Sequence, residues 1–239
     1  MKSLFVFIIA FSTLSSFSQD ISPQQLLENT KNYHDPNGNW STIRAAFTVE
    51  MTTPNASKRT SQIRIDLARE FFSVKATKDT ITTIYSVNKG KCGMVYNGKD
   101  LDSIQAKEKK MSCDRATLYK NYYTYLYGLP MKLNDPGANL SDKVEKKTFK
   151  GNDYLVLKVT YDEAVGSDVW YFYFNPKTYA MEVYQFFKTD DKGKEKPDSG
   201  EYILLSGEAE VKGIKMPKVR AWYYNKEDKY LGTDTLVEN

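Results

Sequence analysis

Histidine is nearly absent from this chain: His34 is the only one in 239 residues. Nucleophilic catalysis by serine or cysteine wants an imidazole alongside, and no Gly-x-Ser-x-Gly elbow accompanies the one available. His34 falls at the end of a predicted helix and reads as a surface residue. Cysteine is equally scarce, and Cys92 and Cys113 with one histidine do not make a zinc ligand set. The 13 glycines sit at turns rather than in a phosphate-cradling loop, so no cofactor is expected. Charge of one sign is lacking too, since 34 basic residues face 30 acidic ones for a net charge of +4. Lys107-Glu108-Lys109-Lys110 and Lys143-Val144-Glu145-Lys146-Lys147 each carry an acid inside and read as solvated faces, not as a nucleic-acid track. Paired carboxylates stay open as an enzymatic alternative. Asp162-Glu163 is the one acidic pair beside aromatic strands, and adjacent residues diverge, which favours a turn over catalysis.

Long apolar runs are missing beyond the first residues. Lys2 precedes Leu4 to Phe11, an apolar stretch of signal-peptide length, and Ser16 and Ser18 occupy the −3 and −1 positions of a cut before Gln19. The stretch is too short for the ~20 residues that span a bilayer. No cysteine follows that cut to receive a lipid. Residues 1–18 are therefore expected to be removed, and residues 19–239 to be an exported, soluble protein of the periplasm or the medium, without a transmembrane segment. In that oxidising compartment Cys92 and Cys113 read either as a disulfide or as two buried core thiols.

What the chain does have is aromatic surface: 18 tyrosines, 12 phenylalanines and 3 tryptophans, enough for a sizeable single β-domain. Ser22-Pro23-Gln24-Gln25 is a helix start with a capping box, and the helix runs to about Tyr33. From Ala45 the period becomes two. Phe47, Val49 and Met51 alternate with polar residues, as do Ile63, Ile65 and Leu67. Strands are expected at 71–76, 81–87, 92–96 and, across the Asn97-Gly98 turn, at 101–104. A helix capped by Ser112 or Asp114 then covers Thr117 to Tyr127 and stops at Gly128 and Pro130. Its tyrosines surround most of its circumference, as a helix packed on the sheet or a lid over a cavity would require. A loop at 131–141 leads to strands at 144–149, 154–161, 169–174, 181–187, 201–205, 209–212, 219–224 and 230–236. The charged segment 190–200 reads as a mobile hairpin tip.

The hairpin from Asp168 to Phe187 is apolar on both faces. Val169, Tyr171 and Tyr173 point one way, and Trp170, Phe172 and Phe174 the other. A strand with its back to water alternates apolar and polar residues; this one does not, and a soluble chain must cover both sides. A curved antiparallel sheet with a covered apolar pocket follows. The expected lining is Trp170, Phe172, Phe174, Tyr184, Phe186 and Trp222, with Tyr122 and Leu126 from the helix above. Exchange of the two strand faces is the open alternative.

A short leading helix, a meander, one inserted helix with its loop, and closing hairpins such as Trp170 to Thr178 resemble the periplasmic lipoprotein-carrier (LolA/LolB-like) superfamily. Tyr122 to Leu133 also resembles an uncharacterised Bacteroidota branch of it. The resemblance covers nearly all of the mature chain and is topological and compositional. It implies a mostly β, α+β fold: an incomplete antiparallel barrel whose helices cover the concave side, with a cavity for acyl chains. The expected function is binding of an apolar ligand, namely a lipid, an acyl chain or a lipoprotein anchor. An envelope adaptor that binds a protein partner through an aromatic sheet face is the alternative, ahead of a carboxylate-dependent hydrolase.

Overall fold

A computed structural model describes residues 21–237; the predicted export segment and its cut lie outside them. Helix α1 (Pro23–His34) begins where the capping box places it. The Ser22 hydroxyl accepts from the Gln25 amide and the Gln25 side chain accepts from the Ser22 amide, both at 3.2 Å, so two orphan amides are satisfied reciprocally. Leu26 and Leu27 form its buried face.

A meander follows through β1 (Arg44–Thr53), β2 (Ala56–Asp66), β3 (Phe71–Lys78), β4 (Ile81–Asn88), β5 (Lys91–Tyr96) and β6 (Lys99–Asp100). Asn97 and Gly98, with φ of +47° and +80°, turn β5 into β6, since both central positions of such a hairpin turn need positive φ. The strand expected at 101–104 does not form. Asp102 instead accepts from the Ile104 and Gln105 amides at 2.9 Å and starts helix α2 (Ser103–Glu108) with a second capping box. A good cap outweighs a four-residue β pattern. Helix α3 (Cys113–Gly128) is capped by Ser112. A Cβ on Gly128 would overlap the ring of Trp40, so glycine here serves close packing as well as helix termination.

The loop at 131–141 contains a single 3₁₀ turn, Met131–Asn134, and the short strand β7 (Ala138–Leu140). Then come β8 (Glu145–Phe149), β9 (Asn152–Tyr161), β10 (Val169–Phe174), β11 (Met181–Phe187), β12 (Glu201–Val211), β13 (Ile214–Tyr224) and β14 (Tyr230–Val237). The pair of strands expected at 201–205 and 209–212 is one strand, β12, paired with β13 along its length.

All 14 strands belong to one antiparallel sheet, ordered β6-β5-β4-β3-β2-β1-β14-β13-β12-β11-β10-β9-β7, with β8 also on β9. Pairing of the first long strand with the last, Thr48 opposite Val237 through Thr52 opposite Thr233, joins the two meanders. The sheet is open, curved, and not closed into a barrel. Its curvature can be read from α3. Tyr119 meets Tyr85 of β4 at 5.2 Å between ring centroids, and Tyr125 meets Trp170 of β10 at 5.6 Å. Those strands are eight places apart in the order, about 38 Å on a flat sheet. One helix roughly 10 Å across reaches both only because the sheet curls round it.

His34 is not a surface residue. It is 3% exposed, with Nδ1 donating to the Lys215 carbonyl at 2.7 Å and Nε2 accepting from the Met181 amide at 3.0 Å. Those two partners fix a neutral tautomer, and burial pushes the imidazole pKa down. The last turn of α1 tucks it under β11 and β13, so its place was decided by packing. The segment 190–200 is also tied back: Glu195 takes Lys158 Nζ and the Tyr171 hydroxyl, each at 2.8 Å.

Candidate binding site

The two faces of β10 have different company. Trp170, Phe172 and Phe174 point into the curl with α3, within the main core. Val169, Tyr171 and Tyr173 form a smaller outer cluster with Tyr154, Val156 and Val183, which Phe149, Phe187 and Leu204 pack against. Cross-strand register carries the inner set onward: Phe172 opposes Tyr184, Tyr184 opposes Ile203, and Ile203 opposes Trp222.

Most of the predicted lining residues touch in a continuous chain of rings. Trp170 lies 4.8 Å from Phe186 and 6.0 Å from Phe172; Tyr184 lies 6.2 Å from Trp222; Trp222 lies 6.4 Å from Tyr122 on α3. Phe174 and Leu126 sit in the same core. Burial separates them into two kinds. Phe172, Phe174 and Tyr184 are wholly enclosed and Leu126 nearly so, whereas Trp170, Phe186 and Trp222 are half-buried and Tyr122 is 37% exposed. The centre of the curl is packed, and open space lies at its margins.

One margin is a cleft of about 520 Å³ between α3, the 3₁₀ turn and the β9–β10 connection, with Tyr125, Tyr161, Val165, Asp168 and Trp170 among its walls. The Tyr125 and Tyr161 hydroxyls meet at 2.5 Å. Burial pushes Tyr125 well above the ordinary tyrosine pKa and Tyr161 up to about 12, so both are neutral donors at any physiological pH. Desolvation raises Asp168 as well, against the charge of Lys188. Asp162 accepts from the Asn139 side chain at 2.8 Å and its carbonyl accepts from the Val165 amide. Glu163 is exposed. The pair caps a turn and does not converge on the cleft. Another depression, of about 650 Å³, is walled by Arg44, Arg64, Arg69 and Lys212 around Asp66; the Arg44 and Arg69 side chains are 70% exposed or more, which describes solvated charge.

A second hollow of about 290 Å³ lies between Tyr122, Met51 of β1, Trp222 and the Gly232 to Asp234 stretch of β14. Behind it is Arg220, 1% exposed, with its guanidinium 4.0 Å over the ring of Tyr127 and Nη1 donating to the Pro217 carbonyl at 2.9 Å. Asp234, its register partner on β14, is also buried; desolvation raises its carboxyl pKa against the pull of Arg220 and Arg59. Sequence reading passed over Arg220 and Asp234. The available signal was parity: Arg220 shares a strand face with Trp222, so a charge stood on the face already assigned to the interior.

Cys92 of β5 and Cys113 at the start of α3 are joined, with Cα atoms 5.5 Å apart, which is ordinary disulfide separation. The bond pins the helix to one arm of the sheet.

A family model for a family of unknown function, DUF6503, matches residues 2–239. No curated protein matches the chain by sequence. Among solved structures, a LolA superfamily protein from Nitrosomonas europaea superposes with a TM-score of 0.53 at 10% identity, over 91% of this chain and 92% of that one. A DUF1329 family protein from Desulfovibrio piger gives a TM-score of 0.47 at 8% identity, over 90% and 91%. The first likeness establishes a LolA-like fold.

Proposed function

This chain belongs to the DUF6503 family, and we propose that it is an exported, carrier-like binding protein holding a lipid, an acyl chain or a lipoprotein anchor between α3 and the concave aromatic face. The observation that carries the reading is the cleft of about 520 Å³, of ordinary ligand-pocket size, which opens beside Trp170 at the end of a continuous ring-lined interior. That interior is filled by its own side chains, so a chain of any length requires α3 to shift. Ten buried methylenes contribute about 8 kcal/mol, which can offset partial separation of one helix. An export segment at 1–18 and periplasmic residence fit this reading. Among the described residues no helix is long and apolar enough to cross a membrane.

A second reading, an adaptor for a protein partner, draws on Ile104 of α2 and Leu118 of α3, which are 72% and 63% exposed. Fluorescent fatty-acid titration of delipidated protein separates the two. The carrier takes up one probe per chain, and Val165→Asp at the cleft margin, an exposed position, weakens uptake tenfold or more without changing the melting temperature. No uptake, together with no co-purified lipid in gentle mass spectrometry, would transfer the assignment to the adaptor.

A further inference from the structure

Six buried side-chain nitrogen or oxygen atoms lack a hydrogen-bond partner among the described residues. One is Thr30 Oγ1. The others are Arg59 Nε, Tyr127 Oη, Tyr184 Oη, Arg220 Nε and Trp222 Nε1, all on the concave face or on α3 opposite it. Register explains the grouping. Arg59 opposes Met51, Met51 opposes Asp234, and Asp234 opposes Arg220. Arg59, Asp234 and Arg220 therefore share one cross-strand row beneath α3. The charge of Arg220 acts on Tyr127, Tyr184 and Asp234 alike, which places these groups around one point. The hollow walled by Tyr122, Trp222 and Asp234 reaches this row at Asp234.

A buried donor without a partner destabilises the fold by its desolvation cost, about 1–3 kcal/mol for a neutral group and more for a charged one. Native interiors hold few of them, and here they converge. Each is an N–H or O–H donor; the Trp222 indole leans toward Asp234 and the Tyr184 hydroxyl toward Arg220, but neither contact reaches hydrogen-bond geometry. The row also holds two guanidinium groups against one carboxylate, an excess of one positive charge. Glu201, on the wall of the same hollow, also acts on Tyr184 and is itself drawn by Lys188; counting Glu201 and Lys188 together leaves the excess at one positive charge. The missing complement is one negative charge carrying several acceptor oxygens.

Building on the carrier reading, we infer that the row of Arg59, Asp234 and Arg220, with Tyr127, Tyr184 and Trp222, is a headgroup subsite. It takes the anionic oxygen head, carboxylate or phosphate, of a single-tailed amphiphile whose tail lies along the aromatic interior. The head accepts from Arg220 Nε and the tyrosine and indole donors. The subsite then gives the carrier preference for a charged head over an uncharged one on the same tail.

The test is competition of a bound fluorescent probe by oleate, oleyl alcohol and oleoyl lysophosphatidate, which share one tail. The wild type is expected to bind one or both anions at least tenfold more tightly than the alcohol, and the stronger of the two identifies the head. Arg220→Met is expected to erase that preference while alcohol binding persists. Should it fail to fold, Tyr184→Phe and Tyr127→Phe keep the rings and remove single donors. Each is expected to cut the anion preference about threefold, leave alcohol binding unchanged and leave the melting temperature of the empty protein equal or higher. Equal binding of anion and alcohol by the wild type would overturn the subsite and leave the carrier standing. So would parallel loss of both ligands in the phenylalanine variants. Failure of all three ligands would overturn the carrier reading itself.

Discussion

The inner and outer faces of the β10–β11 hairpin are both aromatic, both buried, and finished in opposite ways. On the outer face every tyrosine of β10 has its hydroxyl placed. Tyr171 donates to Glu195 at 2.8 Å and Tyr173 to Gln185 at 2.6 Å, while Lys147 lies 4.4 Å over the Tyr171 ring. On the inner face the Tyr184 hydroxyl and, across from it, those of Tyr127 and the Trp222 indole have no partner among the described residues. The outer cluster is a completed piece of structure, whose lysine stems and charged segment shield it from water. The inner face keeps unused hydrogen-bonding capacity around a guanidinium. Burial alone does not tell the two faces apart; the disposition of polar atoms does.

The largest test of that contrast is Phe172→Ala on the inner face. A fully enclosed phenylalanine beneath α3 is expected to cost about 3–5 kcal/mol on truncation, read by urea unfolding. A loss under 1 kcal/mol would mean that the inner face is already loosely packed. Next comes removal of the Cys92–Cys113 link. Its 21-residue separation predicts about 3 kcal/mol from chain entropy, and because the bond anchors α3, hydrogen exchange should accelerate on α3 and not on β8 to β10. Uniform acceleration would show that α3 is no independent lid.

A smaller effect separates the faces directly. Tyr173→Phe removes a satisfied hydroxyl and leaves the Gln185 oxygen without it, so it should cost about 1 kcal/mol. Tyr184→Phe removes an unsatisfied one and should be neutral or stabilising in thermal melts. Equal losses at both sites would erase the distinction. The smallest effect is a pH slope. Burial lowers the folded-state pKa of His34, so below the unfolded value of about 6.5 the unfolded chain binds more protons. Stability should then fall as pH drops from 6.5 through the folded value, and His34→Gln should flatten that part of the stability–pH curve. A curve of unchanged slope in the variant would exclude His34 as the source of that slope.

Much of this architecture was legible in the chain. The capping box at Ser22, the Asn97-Gly98 turn, the end of α3 at Gly128, and strands of period two are local features, and local physics fixed them; the start of α3 was legible only as Ser112 or Asp114. The demand that both faces of Val169–Phe187 be covered was also local, because a solvated strand cannot be apolar on both sides. Two elements were misread for local reasons. Asp102 with Gln105 made a helix where a strand pattern was weaker, and Gly207 interrupted the apolar pattern of a strand that runs through it.

What covered each face depended on register and curvature between residues far apart in sequence. Pairing of β1 with β14 turned two meanders into one sheet, and the curl of that sheet brought Tyr85 and Trp170 to the same helix. His34 was drawn under β11 and β13, and Arg220 entered the interior row with Asp234 and Arg59. By itself the sequence determined a β-rich chain with too much aromatic surface for one core face. Tertiary structure alone decided where the unpaired donors meet, because a strand fixes only which side of the sheet a residue faces, while register between strands fixes its neighbours.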